Sequence, residues 1–161
     1  MHYSHQLIGS AQRLLGGKRG RPQSSDCNRA VSTAYYALFD HLCRLVANRI
    51  ITSPEGASVT SKTWVEVYRS VDHGKAQTLM GRLSRGPDGT ESDHLIKFAS
   101  AFIALQNARN EADYVPTKEF GKIDAEILIN QAKSAILHLD CVTFDEVSQI
   151  VGGLVAKNTR R

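Results

Sequence analysis

Ser24-Ser-Asp-Cys-Asn-Arg-Ala-Val-Ser-Thr-Ala-Tyr-Tyr-Ala-Leu-Phe-Asp-His-Leu-Cys-Arg-Leu-Val-Ala-Asn-Arg-Ile-Ile51 is the stretch from which the fold is read. Ser24, Ser25 and Asp26 all suit a helix N-cap, because their side-chain oxygens accept from backbone N–H groups that a first turn leaves free. Beyond them Val31, Ala34, Tyr35, Leu38, Leu42, Leu45 and Val46 fall on one stripe at helical spacing. The segment therefore predicts one long helix to about Ile51, stopped by Ser53-Pro54-Glu55-Gly56.

Outward from it the same period recurs, and no sustained period-two alternation flanked by hairpin turns interrupts it. A first helix is expected over about 3–15, ending at Gly16-Gly17, with a flexible connection over 16–25. Trp64, Val67, Tyr68 and Val71 mark a third helix, and Ala76, Leu79, Met80 and Leu83 continue its pattern past His73-Gly74, which makes Gly74 a kink or break. Gly86-Pro87-Asp88-Gly89 reads as a turn. A fourth helix runs from about Ser92 to Tyr114, because Pro116 disfavours helical geometry at Val115. Ala125, Leu128, Ala132, Ala135, Leu139 and Val142 form the seam of a fifth. Thr143-Phe-Asp-Glu146 matches a capping box that opens a short sixth, faced by Val147, Ile150, Val151 and Leu154. The expectation is an all-α, antiparallel bundle of five to six helices, one domain over 1–161 with a flexible 155–161 tail.

Composition narrows the class. With 42% hydrophobic and 22% charged residues, the 161-residue chain belongs with ordinary globular proteins. Met1 to Gln6 shows no basic leader followed by an apolar run, and no stretch is apolar for long enough to span a bilayer, so a soluble, cytoplasmic protein without membrane association is expected. Cys27, Cys43 and Cys141 form no C-x-x-C pair and leave an odd count, which argues against a disulfide framework or a zinc site. Phosphate-binding, dinucleotide-binding and zinc-protease motifs are missing, and although His2 and His5 could bind a metal, terminal histidines seldom mean function and no metal site is expected. No cofactor is called for. The net charge of +4 suits an anionic partner such as RNA or a nucleotide, although the densest basic runs, Lys18-Arg-Gly-Arg21 and Lys157 to Arg161, read as a loop and a tail.

The chemistry concentrates in the fourth helix. Leu95, Phe98, Phe102 and Leu105 set a stripe whose next members are Arg109 and Ala112, so an arginine stands where the apolar seam should continue. Asp113 lies within reach of an i,i+4 ion pair, while Asn110 and Tyr114 flank it. Two readings stand side by side: a structural ion pair closing the end of the bundle, or a phosphate-binding arginine.

The segment Arg29-Ala-Val-Ser-Thr-Ala-Tyr-Tyr-Ala-Leu-Phe-Asp-His41, followed by Ala108-Arg-Asn-Glu-Ala-Asp-Tyr114, resembles the HEPN superfamily of prokaryotic helical domains. The small Ala30, Ala34 and Ala37 beside bulky Tyr35, Tyr36 and Phe39 form its packing signature. The resemblance implies a metal-independent endoribonuclease carrying an R-x4-6-H motif, paired across a homodimer, in a toxin–antitoxin or phage-defence setting. Arginine would stabilise phosphate charge and histidine would move protons. Here Arg109 matches the arginine, but no histidine follows, and Tyr114 occupies the spacing where one would stand. A phenol with an ordinary pKa of about 10 is a poor base at neutral pH. His73, at the expected helix break, is the substitute that folding would have to bring in, whereas His41 reads as a packing residue. The resemblance thus places RNA or nucleotide binding at Arg109, Asn110 and Asp113, with Arg109, Tyr114 and His73 as catalytic candidates. The alternative is a non-catalytic helical scaffold partnering a small nucleotidyltransferase. Apolar faces on at least five helices exceed what a small bundle hides, which also favours a homodimer.

Overall fold

The computed structural model describes residues 3–16, 22–51, 61–86 and 89–155. All regular structure among them is helical: α1 (Tyr3–Leu15), α2 (Ser24–Ile50), α3 (Lys62–Ser70), α4 (His73–Leu83), α5 (Asp93–Tyr114), α6 (Lys122–Asp140) and α7 (Phe144–Val155). The expected stop at 53–56, Pro87 and Asp88 of the expected turn, both basic runs, His2, residues 17–21 of the expected 16–25 loop and residues 156–161 of the expected tail lie outside the described residues, while Ser24 and Ser25 of that loop belong to α2.

Seven helices replace the expected five to six, for a local reason. The third and fourth are separate because Val71 and Asp72 adopt extended backbone, and the Asp72 carboxylate accepts from the Lys75 amide to cap a new helix. Gly74 is not the break; it sits in the first turn of α4. At the start of α2 the cap is Gln23 rather than a serine, with Asp26 accepting from the Gln23 amide. Val142, assigned to the fifth seam, falls beyond α6.

The long helix is the axis of the bundle, with α1, α3, α5, α6 and α7 all packed on it. Ala30, Ala34, Ala37 and Ala47 are fully buried there and let neighbouring backbones approach. The fourth-helix stripe behaves as read, since Leu95, Phe98, Phe102 and Leu105 are all fully buried. Phe102 meets Tyr35 edge-on at 5.7 Å between centroids.

Two polar side chains join elements far apart in sequence. Asn28 of α2 donates to the carbonyl oxygens of Ala112 (3.3 Å) and Lys118 (2.9 Å) and accepts from the Phe120 amide (2.9 Å). It thereby satisfies backbone groups left free where α5 ends, and holds that end against α2. Glu146 forms the expected capping box with Thr143, and its other oxygen accepts from the Ser92 amide at 2.7 Å. Burial alone would push its carboxyl up, but the Thr143 and Ser92 donors outweigh that and hold it below the usual carboxylate range. One carboxylate thus ties the starts of α5 and α7 together.

Leu38 and Phe102 are both fully buried on facing helices, so Leu38→Asp or Phe102→Asp places an unpaired charge in the core. Each is expected to lower stability by roughly 3 kcal/mol or more, read in urea or thermal melts. Wild-type-like melting of either variant would show the helical faces to be wrongly assigned.

Candidate functional site

Arg109 sits in the last turns of α5, and its side chain is 18% exposed. Its Nε lies 2.9 Å from Asp113 Oδ2, an ion pair without an aligned hydrogen bond. Nη2 donates to the Tyr36 hydroxyl at 2.5 Å and Nη1 to Asn110 Oδ1 at 3.1 Å. The guanidinium carries five N–H donors, so these contacts leave two without a partner among the described residues. Asp113 is held in turn by Ser32 of α2, whose hydroxyl donates to Oδ1.

Aromatic rings surround this cation. Its Cζ lies 5.0 Å from the Tyr114 centroid, 5.3 Å from Tyr36 and 5.9 Å from Tyr35, within cation–π range. Tyr35 is fully buried, whereas Tyr36 is 38% and Tyr114 68% exposed. The last two are exposed aromatic residues beside a guanidinium.

His73 joins from α4. Its ring stacks on Phe39 at 3.7 Å and 16°, and its Nδ1 lies 2.8 Å from the Tyr35 hydroxyl. Burial pushes the Tyr35 phenol far above its ordinary value, so it stays a neutral hydroxyl, whose oxygen accepts from Nδ1–H in the tautomer that leaves the Nε2 lone pair free. Nε2 is the ring nitrogen left for other work, and the residue is solvent-exposed. Desolvation of the ring and then the nearby Arg109 charge pull its pKa below 6.5, against the opposing pull of Asp72. A neutral imidazole near neutral pH follows.

All five residues singled out from the sequence, Arg109, Asn110, Asp113, Tyr114 and His73, therefore converge on one face. Tyr35, Tyr36 and Phe39, read only as packing bulk, and Ser32 complete it. One signal for Tyr36 was legible, since it stands off the α2 apolar stripe. Tyr35 gave none, being at once a core residue and the support of His73. His41 is the packing residue expected, 8% exposed between Ser4 (3.1 Å) and Asp140 (2.7 Å). That trio mimics a serine-hydrolase arrangement, but the Ser4 side chain is fully buried and no substrate reaches it.

Among the described residues no group of three or more histidine, cysteine or acidic side chains is placed to hold a metal. No helix there is long and apolar enough to cross a membrane. No known protein family, no curated protein and no solved structure matches the chain.

The His73 environment is open to direct test. Because its folded pKa is depressed, the protonated form is disfavoured in the folded state; its stabilising contribution is complete above 6.5 and is lost as pH falls through that value towards the folded pKa. An NMR titration should give a His73 midpoint below 6.5, moving up in Arg109→Ala, and wild-type stability should fall relative to His73→Gln on acidification. An ordinary midpoint unmoved by Arg109→Ala would separate the two residues.

Proposed function

We propose that this chain is a HEPN-like domain that binds RNA or a nucleotide through Arg109, and that His73 supplies the proton transfer of a metal-independent endoribonuclease. The observation that carries the reading is the convergence of spare guanidinium donors, two exposed tyrosine rings and a neutral histidine on one surface. An arginine with free N–H groups takes a phosphate, and exposed aromatic rings beside it take a base by stacking. The Arg109–Asp113 pair does not oppose this, because it engages Nε and turns the Nη edge outward.

In metal-free RNA cleavage the ribose 2′-oxygen attacks the adjacent phosphorus, the bond to the 5′-oxygen breaks, and a cyclic phosphate forms. His73 accepts the 2′-hydroxyl proton at Nε2, Arg109 stabilises charge developing on the phosphoryl oxygens, and water protonates the leaving oxygen. Histidine thus enters from α4 rather than from the window after Arg109, and Tyr114 serves as a stacking ring instead of a base.

A cytoplasmic setting is supported by an odd cysteine count that includes no C-x-x-C pair. Pairing into a homodimer is supported by apolar side chains left on the outside of α6, where Ile123, Ile127 and Leu137 are each more than half exposed. The toxin–antitoxin or phage-defence setting rests on the resemblance alone.

Binding and cleavage of single-stranded RNA, with chelator present, separate the roles. Arg109→Ala should weaken binding on the order of 10-fold or more. It should lower stability by only about 1 kcal/mol, since Asp113 keeps Ser32 and partial exposure. His73→Gln should retain binding and slow cleavage by roughly 100-fold or more. Unchanged affinity in Arg109→Ala would overturn the site and leave the scaffold for a nucleotidyltransferase standing; loss of the fold would return Arg109 to a purely structural role.

A further inference from the structure

Away from the Arg109 cluster, a cleft of about 670 Å³ lies between α4 and α7, lined by Gly74, Lys75, Thr78, Leu79, Arg82, Arg85 and Gly153. Three of its seven lining residues are cations and none is acidic. Five other described cations have a carboxylate partner: Arg44 with Asp40, Lys62 with Glu66, Arg109 with Asp113, Lys118 with Glu111 and Lys122 with Glu126. Among the described residues, Lys75, Arg82 and Arg85 enter no ion pair, and all three are exposed.

The local sequence explains how they come to share one wall. Arg82 lies two turns beyond Lys75 on α4, and Arg85 less than one turn further, just past the helix end. Lys75 and Arg82 are about 10 Å apart along the axis, a spacing that suits separate phosphates of an extended strand rather than one compact anion. The floor is kept low by Gly153, where a Cβ would stand 2.7 Å from the Leu79 side chain. Gly74, at one end of the cleft, directly follows His73, so the basic wall starts where the Arg109 cluster ends.

We propose that the cleft between α4 and α7 is a second, phosphate-binding site, and that the ligand is a single-stranded RNA running from Tyr36 and Tyr114 over His73 to Lys75, Arg82 and Arg85. A stacking platform joined to a basic groove is the arrangement by which proteins hold single strands without reading sequence. The identity of the ligand as RNA rests on the function proposed above; the existence of a polyanion site in the cleft does not. A free mononucleotide fills only the Arg109 end, so affinity rises with strand length until the cleft is occupied.

The test is fluorescence anisotropy with a labelled mononucleotide and single-stranded oligoribonucleotides of increasing length, on wild type, Arg82→Gln/Arg85→Gln and Arg109→Ala. Both cleft substitutions are at exposed positions, and thermal melts control for folding. The double variant is expected to bind the mononucleotide as wild type does, and to lose on the order of 10-fold in affinity for the longest strand at low salt. Its log–log salt slope should fall by about 0.7 for each lost phosphate contact. Wild-type affinity of the double variant for the longest strand overturns the proposal, as does an affinity independent of length. Equal binding of inorganic polyphosphate and RNA of matched charge overturns the strand assignment. If Arg109→Ala binds every length as wild type does while the double variant loses the long strands, the Arg109 reading fails and the cleft stands as a separate polyanion site.

Discussion

Burying α2 among five neighbouring helices imposes a demand that the rest of the molecule is arranged to meet. A helix enclosed on so many sides brings polar side chains inside with the apolar ones, and each must find a partner because an unpaired buried polar group costs about 1–3 kcal/mol. Ser32 meets Asp113 of α5, Asp40 meets Tyr68 of α3 and Arg44, and His41 meets Ser4 of α1 and Asp140 of α6. These pairings act as long-range registers. They fix where α1, α3, α5 and α6 stand along the central helix, a matter on which alanine-rich apolar packing alone is permissive.

The candidate site grows out of one of those registers. Ser32 sets Asp113, Asp113 sets the Nε edge of Arg109, and the guanidinium then presents its other edge to Tyr36 and to solvent. A structural and a functional reading of the arginine are therefore not exclusive, because a planar fork offers more than one hydrogen-bonding edge. Tyr35 works in the same double manner: its ring is core and its hydroxyl is the support of His73. Desolvation against Phe39 and the nearby positive charge keep that histidine neutral, as required of a proton acceptor.

Charge is distributed unevenly over the surface in a way the net value conceals. One cation on each of α2, α3, α5 and α6 is paired with a carboxylate four residues away, whereas Lys75 and Arg82 of α4 enter no ion pair among the described residues, and α4 begins with His73. Unpaired cations beside a cleft without acidic lining favour an anionic ligand there.

Helical periodicity, caps and breakers are local quantities, and they were sufficient for the all-α class, for the extents of α1 and α5, for the Thr143–Glu146 capping box and for the buried stripe from Leu95 to Leu105. The oddness of Arg109 was legible for the same reason, since it broke a stripe that its own helix defined. The split between α3 and α4 was anticipated only as a kink or break at Gly74, because the apolar period runs through it; the extended backbone at Val71 and Asp72, capped by the aspartate, ends one helix and starts another. The Asn28 bridge, the Ser32–Asp113 contact and the seating of His73 on Phe39 and Tyr35 join residues tens of positions apart. No local pattern encodes them. They depend on which helix faces meet once α2 is enclosed, and that is decided by tertiary packing, in which distance along the chain ceases to measure distance in space.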